Sequence, residues 1–350
     1  MIIVGGGWRM VTIKDIAKAT GVSPSTVSRV IADNPRIGAA TKKKVRKAMR
    51  DLGYHPNIHA RNLVAKSSKA IGVIMPSSAD QALQNPFFPE VLRGIGQVTH
   101  QLEYAMVLSS GQTEKEILSE VQRLVYGSYV DGIILLYSRI NDPVEKFLRE
   151  NEYPYVIVGK PHEDINEVTH VDNDNVTAGK EVTQHLIEQG HKKIAFIGGS
   201  RDLFVTVDRE SGYEAALNEN GLPNSRDYKI HTEFLKSGGR EAVEYLLALK
   251  ERPTAIVVSD DLISLGVVSR LEESGVNVPG DMSIVSFNNV YLSEIIRPTL
   301  TTVDIHIYEL GAQSAKALIE KAENKTEPAK RIIIPHKIVY RESVSKRDYL

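Results

Sequence analysis

Apolar residues near the start of the chain recur at helical spacing, three and four positions apart, which predicts short amphipathic helices. The first two stripes are Ile13, Ile16 and Ala17, then Val27, Val30 and Ile31. Gly21 lies between the stripes and can adopt the positive φ with which many helices end. The pattern therefore predicts two short helices joined by a tight turn.

Polar residues flank these stripes at the positions where helices begin. Thr12 and Asp15 have the spacing of a capping box, and Ser23 stands directly before Pro24, which suits the first position of a helix. Thr41 is predicted to cap a third helix. Three short helices, the second with a serine-rich outer face, are typical of a helix-turn-helix, which places that second helix in the DNA major groove. A small three-helix bundle with a polar surface is the alternative.

Farther along, from residue 70, the pattern changes to short apolar runs separated by helical stretches. The runs are 71–76, 104–110, 131–137, 155–159, 193–199, 254–259 and 282–287. Runs of this length that alternate with helices predict parallel sheets covered on both faces.

The α/β part of the chain is too long for one compact sheet, so we expect two lobes with a ligand cleft between them. The first lobe is expected to hold residues 70–170 and a returning segment near 288–303. The second is expected to hold residues 171–287 and the C-terminal run. The chain would then cross between the lobes three times.

The near-neutral total charge hides a basic head and an acidic body. Residues 11–69 contain 13 lysines and arginines but 3 aspartates, a net charge of +10. The whole chain carries −1 and Arg9 contributes +1, so residues 70–350 carry −12. A basic head suits a polyanion and should bind it in a salt-dependent way.

The densest basic run falls on the predicted third helix. Its members are Lys42, Lys43, Lys44, Arg46 and Lys47. Beside a helix-turn-helix such a run favours phosphate contacts, which position a protein on DNA without reading its sequence. A solvated helix face is the alternative.

Composition and motifs exclude several function classes. The chain has no cysteine, which rules out disulfides, thiolate metal sites and cysteine catalysis. A secretory signal and a run of 18 apolar residues are both absent, so a soluble cytoplasmic protein is expected. The phosphate-binding glycine motifs, the GxSxG motif and the HExxH motif do not occur, so we expect neither an enzyme nor a bound cofactor or metal. A periplasmic sugar receptor would share the body but not the basic head.

Residues suited to a small ligand follow several of the apolar runs. In open α/β sheets, ligands bind beyond the carboxyl ends of the strands, and this rule directs Phe87, Phe88, Arg209 and Asp260 to one cleft. An arginine and an aspartate suit hydroxyl groups, and aromatic rings suit the face of a sugar. The structural alternatives are core packing for the phenylalanines, a salt bridge between lobes for the arginine and a helix cap for the aspartate.

Two motifs resemble those of the LacI/GalR family of bacterial transcriptional repressors. They are T-I-K-D-I-A-K-x-x-G-V-S-x-S-T-V-S-R-V at 12–30 and Y-H-P-N-x-x-A-R-N-L at 54–63. The likeness continues along nearly the whole chain, and within the family it is similar to the maltose-operon repressors. It implies a dimer on a pseudo-palindromic operator and an α/β, two-lobed, periplasmic-binding-protein-like core with parallel sheets.

The resemblance also implies which residues contact DNA. The base readers would be Pro24, Ser25 and Arg29, and Arg29 can make a bidentate contact with guanine. A hinge helix at about residues 57–64 would fold on the operator and wedge Leu63 into the minor groove, unless that leucine is an ordinary linker residue. The full predicted set is Thr12, Ser23, Pro24, Ser25, Thr26, Ser28, Arg29, Asn57, His59, Ala60, Arg61 and Leu63.

For the cleft, the resemblance adds Phe234 and Asp172 to the predicted effector residues and favours maltose or a malto-oligosaccharide. The effector would shift the protein between two lobe arrangements and release DNA. Corepression, and control together with a phosphoprotein corepressor, stay open. The C-terminal run shows no leucine heptad, so a homodimer joined largely through the first lobe is expected.

The predicted division of the chain follows from these features. Its parts are a disordered extension at 1–10, a helix-turn-helix headpiece at 11–56, a hinge helix and linker at 57–69, and an effector-binding and dimerisation core at 70–350.

Overall fold

The computed structural model describes residues 3–4, 7–8, 11–54, 67–76, 82–109, 111–324 and 326–347. The chain divides into two compact units, Met1–Ser68 and Lys69–Leu350. The predicted hinge helix lies outside the described residues.

The N-terminal unit is a three-helix headpiece with its own small core. Its helices are α1 (Ile13–Thr20), α2 (Pro24–Ile31) and α3 (Ala39–Asp51). Its buried apolar side chains are Ile16, Ala17, Val27, Val30, Val45 and Tyr54. The predicted helix-turn-helix is confirmed, because the stripes of both short helices meet in this core.

The ends of the short helices follow local signals. The carboxylate of Asp15 accepts a hydrogen bond from the backbone N–H of Thr12 at 2.8 Å. Gly21 ends α1 with a φ of +67°. Ser23 caps α2, since its Oγ accepts from the backbone N–H of Thr26 at 3.2 Å.

The start of α3 differs from the prediction. The helix begins at Ala39 with Gly38 as its N-cap, so Thr41 lies inside the first turn instead of capping it. Glycine is an acceptable N-cap, and alanine has the highest helix propensity, so Ala39 and Ala40 extend the helix toward its N-terminus.

Two dipeptides ahead of the headpiece pair as strands. The backbone of Ile3–Val4 (β1) runs antiparallel to that of Gly7–Trp8 (β2). The other residues of the extension predicted at 1–10 lie outside the described residues. The two dipeptides are two residues apart in the sequence, which is the spacing of a short hairpin.

The first lobe of the C-terminal unit is built on a six-stranded sheet, parallel throughout. Its strands are β3 (Ala70–Ile74), β4 (Ala105–Leu108), β5 (Gly132–Leu135), β6 (Tyr155–Val158), β7 (His170–Asp172) and β13 (Arg331–Ile333). They lie in the order β13-β7-β6-β5-β3-β4. The helices of this lobe are α4 (Phe87–Gln101), α5 (Glu114–Tyr126), α6 (Pro143–Glu150) and α12 (Ile307–Glu323).

The second lobe has a six-stranded sheet of its own. Its strands are β8 (Ile194–Gly198), β9 (Lys229–His231), β10 (Ala255–Val258), β11 (Ser283–Phe287), β12 (Thr301–Asp304) and β14 (Lys337–Val339). They lie in the order β14-β12-β11-β10-β8-β9, with β14 antiparallel to β12 and all other neighbours parallel. Its helices are α7 (Asn175–Glu188), α8 (Phe204–Glu219), α9 (Lys236–Ala248), α10 (Asp261–Glu273) and α11 (Leu292–Ile295), with a 3₁₀ turn at Arg226–Tyr228. The predicted two-lobed α/β fold is confirmed.

One segment was assigned to the wrong lobe. The stretch near 288–303 was expected to return to the first lobe, but β12 pairs with β11 and stays in the second. The returning segment is α12 together with β13, since α12 packs against α4 and β13 pairs with β7. The four-residue helix α11 is too short to cover a sheet, whereas α12 is long and buries Leu310 and Leu318 against the first lobe.

The chain crosses between the lobes three times, as predicted, and one side chain ties the crossings together. Asn173 follows the last strand before the first crossing and is buried. Its Nδ2 donates to the carbonyl of Ile305 at 3.1 Å and to that of Ile334 at 2.8 Å. Those carbonyls belong to the second and third crossings, so a single amide holds all three connections.

Two further observations concern the described residues alone. None of their helices combines the length and apolar character needed to cross a bilayer. No group of three histidine, aspartate or glutamate side chains among them is arranged to hold a metal ion.

Candidate functional site

The outer face of α2 is polar and accessible. Its exposed residues are Ser23, Pro24, Ser25, Ser28 and Arg29, whereas Val27 and Val30 face the core. Thr26 is half-buried and Thr12, ahead of α1, is exposed. The hydroxyl of Ser23 lies 2.8 Å from that of Ser25 and 2.9 Å from that of Thr26, which orders the hydroxyl groups at the start of the helix.

The basic run on α3 splits into two groups. Lys42 and Arg46 form ion pairs with Asp33 at 2.9 and 2.6 Å. Hydrogen bonding to Lys42, and the charges of both cations, lower the pKa of the Asp33 carboxyl. Lys43, Lys44 and Lys47 are exposed, and they are the members best placed for phosphate.

The rest of the predicted DNA set lies outside the described residues, namely Asn57, His59, Ala60, Arg61 and Leu63.

In the C-terminal unit, a cavity of about 300 Å³ opens between the two lobes. It lies at the carboxyl ends of the strands, where the topology rule places ligands. All six predicted effector residues line it, namely Phe87, Phe88, Asp172, Arg209, Phe234 and Asp260. The structure therefore brings together side chains that lie far apart in the sequence.

Asp260 joins the two lobes beside this cavity. Its Oδ2 accepts from the side-chain amide of Asn85, in the first lobe, at 3.0 Å and from that of Asn288, in the second, at 2.7 Å. Its Oδ1 accepts from the backbone N–H groups of Leu262 and Ile263 at 2.7 and 3.3 Å, so Asp260 also caps α10. Burial raises the pKa of Asp260, while the hydrogen bonds from Asn85, Leu262 and Ile263 act in the opposite direction. The helix-cap alternative is thus confirmed, and the cap also lines the cavity.

Arg209, on α8, is 3% exposed. Its Nε donates to Oδ1 of Asn175 at 2.9 Å, and its Nη1 donates to the carbonyl of Ser259 at 2.6 Å. The guanidinium stacks 4.3 Å from the ring centre of Phe287. Among the described residues Nη2 has no acceptor and Arg209 forms no salt bridge, so the guanidinium keeps donors for a ligand. Desolvation lowers the pKa of Arg209 to about 10, which leaves it charged at neutral pH.

Asp172 ends β7 and is also buried. Its Oδ1 accepts from the side-chain amide of Asn175 at 3.0 Å. Burial raises the pKa of Asp172 to about 7. Near neutral pH this carboxyl is therefore available in both protonation states, as a donor or as an acceptor toward a hydroxyl group.

Aromatic rings form the apolar walls. Phe87 and Phe88 are half-buried and pack edge to face, with ring centres 5.2 Å apart. They are the first residues of α4, whereas the sequence pattern predicted them in a loop after the first strand. Phe234 precedes α9 and lies against Gly199, where an added Cβ would stand 2.0 Å from its ring. Because a side chain at position 199 would collide with the Phe234 ring, the ring can reach the cavity in this position only when residue 199 is glycine.

The lobes also touch along one rim of the cavity. The N–H of Ile140 donates to the carbonyl of Asp202 at 2.9 Å, and the N–H of Phe204 donates to that of Ser138 at 3.1 Å. Nε of Arg139 lies 2.9 Å from the Asp202 carboxylate. The lobe arrangement is thus held by backbone pairing directly beside the site.

Four asparagines of the cavity were not expected from the sequence. Asn85, Asn173, Asn175 and Asn288 are buried and line it. Closeness in the sequence to a predicted site residue could have pointed to two of them, because Asn85 stands just ahead of Phe87 and Asn175 just after Asp172. Asn85 and Asn288 bind Asp260, and Asn175 binds Arg209, so these contacts join segments that are far apart in the sequence and depend on the folded arrangement.

Comparison with known proteins agrees with this architecture. Residues 12–57 match the family described as bacterial regulatory proteins, lacI family, and residues 183–344 match the periplasmic binding protein-like domain. The HTH-type transcriptional regulator MalR of Streptococcus pneumoniae is 42% identical over 337 residues, covering 94% of this chain and 99% of the relative.

Two solved structures have the same fold. A complex of the transcriptional regulator CelR with cellobiose is 29% identical, with a TM-score of 0.75, over 95% of this chain and 99% of that one. The Lac repressor dimer bound to operator is 24% identical, with a TM-score of 0.84, over 96% and 100%. With its basic headpiece, its two-lobed core and a relative this similar over nearly its whole length, the chain belongs to the LacI family of DNA-binding transcriptional regulators.

Proposed function

We propose that the protein is a dimeric repressor of a sugar-utilisation operon, released from its operator by a saccharide. It acts in the cytoplasm, by binding and not by catalysis. The observation that carries the proposal is the meeting of all six predicted effector residues at one cavity, in a chain whose headpiece exposes Ser25 and Arg29 on α2.

A neutral saccharide suits this cavity. Arg209 offers donors, Asp172 offers carboxylate oxygens, and Phe87 and Phe88 offer apolar faces. Maltose or a malto-oligosaccharide is favoured because the similar regulator of S. pneumoniae is named MalR. The cellobiose complex of another family member supports a sugar of at least two units.

The proposed release is a population shift between two lobe arrangements. The cavity walls come from both lobes, so a bound sugar favours the arrangement in which those walls fit it. Release follows if that arrangement disfavours the spacing of two headpieces on the operator. Coupling of this kind is typically about 1–3 kcal/mol.

We infer a homodimer from the exposed apolar strand at one edge of the first-lobe sheet. Strand β4 ends the strand order, and its four residues are exposed or half-buried although all are apolar. An apolar edge strand is a ready surface for pairing with another chain. The Lac repressor, which has the same fold, is a dimer on its operator.

The experiment that tests DNA recognition compares two labelled fragments. The full chain is titrated onto its own upstream DNA and onto a scrambled fragment of the same composition, at several salt concentrations. We expect the upstream fragment to bind roughly 10³-fold tighter or better at physiological salt, and both affinities to fall as salt rises. Equal affinity for the two fragments would contradict a sequence-specific regulator.

A further inference from the structure

A second, polar depression adjoins the effector cavity. It has a volume of about 510 Å³, and its walls include Ser200 and Glu233, which also line the inner cavity. Its other polar walls are Arg201, His231, Thr232, Ser237 and Glu241. The two spaces therefore meet at Ser200 and Glu233, and a ligand longer than the inner cavity can continue from one into the other.

The depression lies where β8 and β9 end. These strands are parallel neighbours, with Gly198 beside His231, so the loops that follow them leave the sheet at the same edge. The inner cavity uses the loops after other strands of both lobes as well. The depression belongs to the second lobe alone.

A buried carboxylate orders the basic groups of this depression. Glu210 is 4% exposed and directly follows Arg209 on α8. Its Oε2 lies 2.9 Å from Nε2 of His231 and 3.6 Å from Nε of Arg201. Two consecutive residues of α8 therefore contribute to the two spaces. Arg209 lines the inner cavity, and Glu210 contacts two wall residues of the outer depression.

The charged side chains of the depression indicate which class of ligand it can bind. Among the walls of the depression, Glu233 and Glu241 outnumber the one permanent cation, Arg201, so an anionic ligand such as a sugar phosphate is disfavoured. A neutral polyol is favoured, since carboxylates accept from its hydroxyl groups and a guanidinium donates to them. The side chain of Arg201 is 69% exposed, so its remaining donors face the open side.

We propose that the outer depression binds the outer sugar units of a neutral oligosaccharide whose inner end occupies the cavity around Arg209 and Asp260. This rests on the proposed function and adds chain-length selectivity to it. The inner cavity lies at the lower end of the roughly 300–1,000 Å³ range of small-molecule sites, so a longer sugar must use the outer space.

The test is a calorimetric titration of the full chain with maltose, maltotriose and maltotetraose. We expect affinity to rise from maltose to the longer sugars by about 5- to 10-fold, as one or two hydrogen bonds are added. The variant Arg201→Ala with Glu241→Gln should lose that increase and keep the affinity for maltose. Both positions are exposed, so the fold is expected to tolerate them.

The matched control is Arg226→Ala with Glu272→Gln, which removes the same two charges from exposed positions of the same lobe outside the depression. It should keep the full increase with sugar length. Equal affinity of the wild-type chain for all three sugars would overturn the proposal, and so would an increase that survives in Arg201→Ala with Glu241→Gln. If none of the sugars binds, the saccharide effector itself is wrong, and the outer site is rejected with it.

Discussion

Replacing Arg209 with alanine is expected to remove sugar binding almost entirely. The side chain is buried, its guanidinium stacks on Phe287, and it donates to Asn175 and to the carbonyl of Ser259. Truncating a buried, hydrogen-bonded charge at a binding site costs about 2–5 kcal/mol, much of it from the partner groups left unpaired. Calorimetry with maltose measures the loss, and the operator titration should show DNA binding that maltose no longer weakens.

Two further variants separate recognition from folding. Arg209→Met keeps an unbranched stem over Phe287 and removes the guanidinium, so it should fold and still fail to bind sugar. Arg240→Ala breaks a surface ion pair with Glu273 in the same lobe and should leave sugar affinity unchanged. A folded Arg209→Met protein with wild-type sugar affinity would show that this arginine has only a structural role.

The variant Arg29→Ala is expected to weaken operator binding by about 1–3 kcal/mol and to relax sequence preference at one base pair. Arg29 is exposed on α2, and Val27 and Val30 hold that helix on the headpiece core. A bidentate arginine–guanine contact is specific to one base, so the loss should be largest for the best operator. Affinities for a panel of single-base operator variants measure it.

Lys44→Ala serves as the contrasting variant for this panel. Lys44 is exposed on α3, and a phosphate contact there carries no base information. The variant should weaken binding to all sequences about equally. It should also reduce the slope of log affinity against log salt concentration by about one. If Arg29→Ala gives the same uniform loss as Lys44→Ala, Arg29 contacts phosphate and does not read a base.

The elements predicted well from the sequence are those whose signals are local. Helix α2 has Ser23 as a cap, Pro24 at its first position and an apolar stripe, and all three signals lie within the short segment 23–31. Strands such as β5 and β11 are buried at every position and stand out as apolar runs. By contrast β7, β9, β13 and β14 have three residues each, too few for a periodic pattern.

Lobe membership was harder to predict because it depends on pairing between distant segments. β12 belongs to the second lobe through its register with β11, and β13 belongs to the first through its register with β7. Neither register can be derived from the composition of the segments themselves. The prediction of three crossings was correct, but the place of two of them was not.

The contrast between local signals and contacts of distant segments also applies to the residues of the cavity. Arg209 and Asp260 could be predicted because the topology rule for parallel sheets and the family resemblance both point to them. Asn85, Asn175 and Asn288 could not, because an asparagine has many uses and these three acquire their role from Asp260, Asp172 and Arg209 in the folded core. The outer depression likewise exists only once β8 and β9 lie side by side.

The most direct test of the central claim is titration of the full chain onto its labelled upstream DNA at fixed salt, with and without saturating maltose. We predict specific binding that maltose weakens by about 5- to 150-fold, the usual range of allosteric coupling. Specific binding that neither maltose nor a longer malto-oligosaccharide changes would contradict a repressor released by sugar, even if the headpiece still recognised its operator.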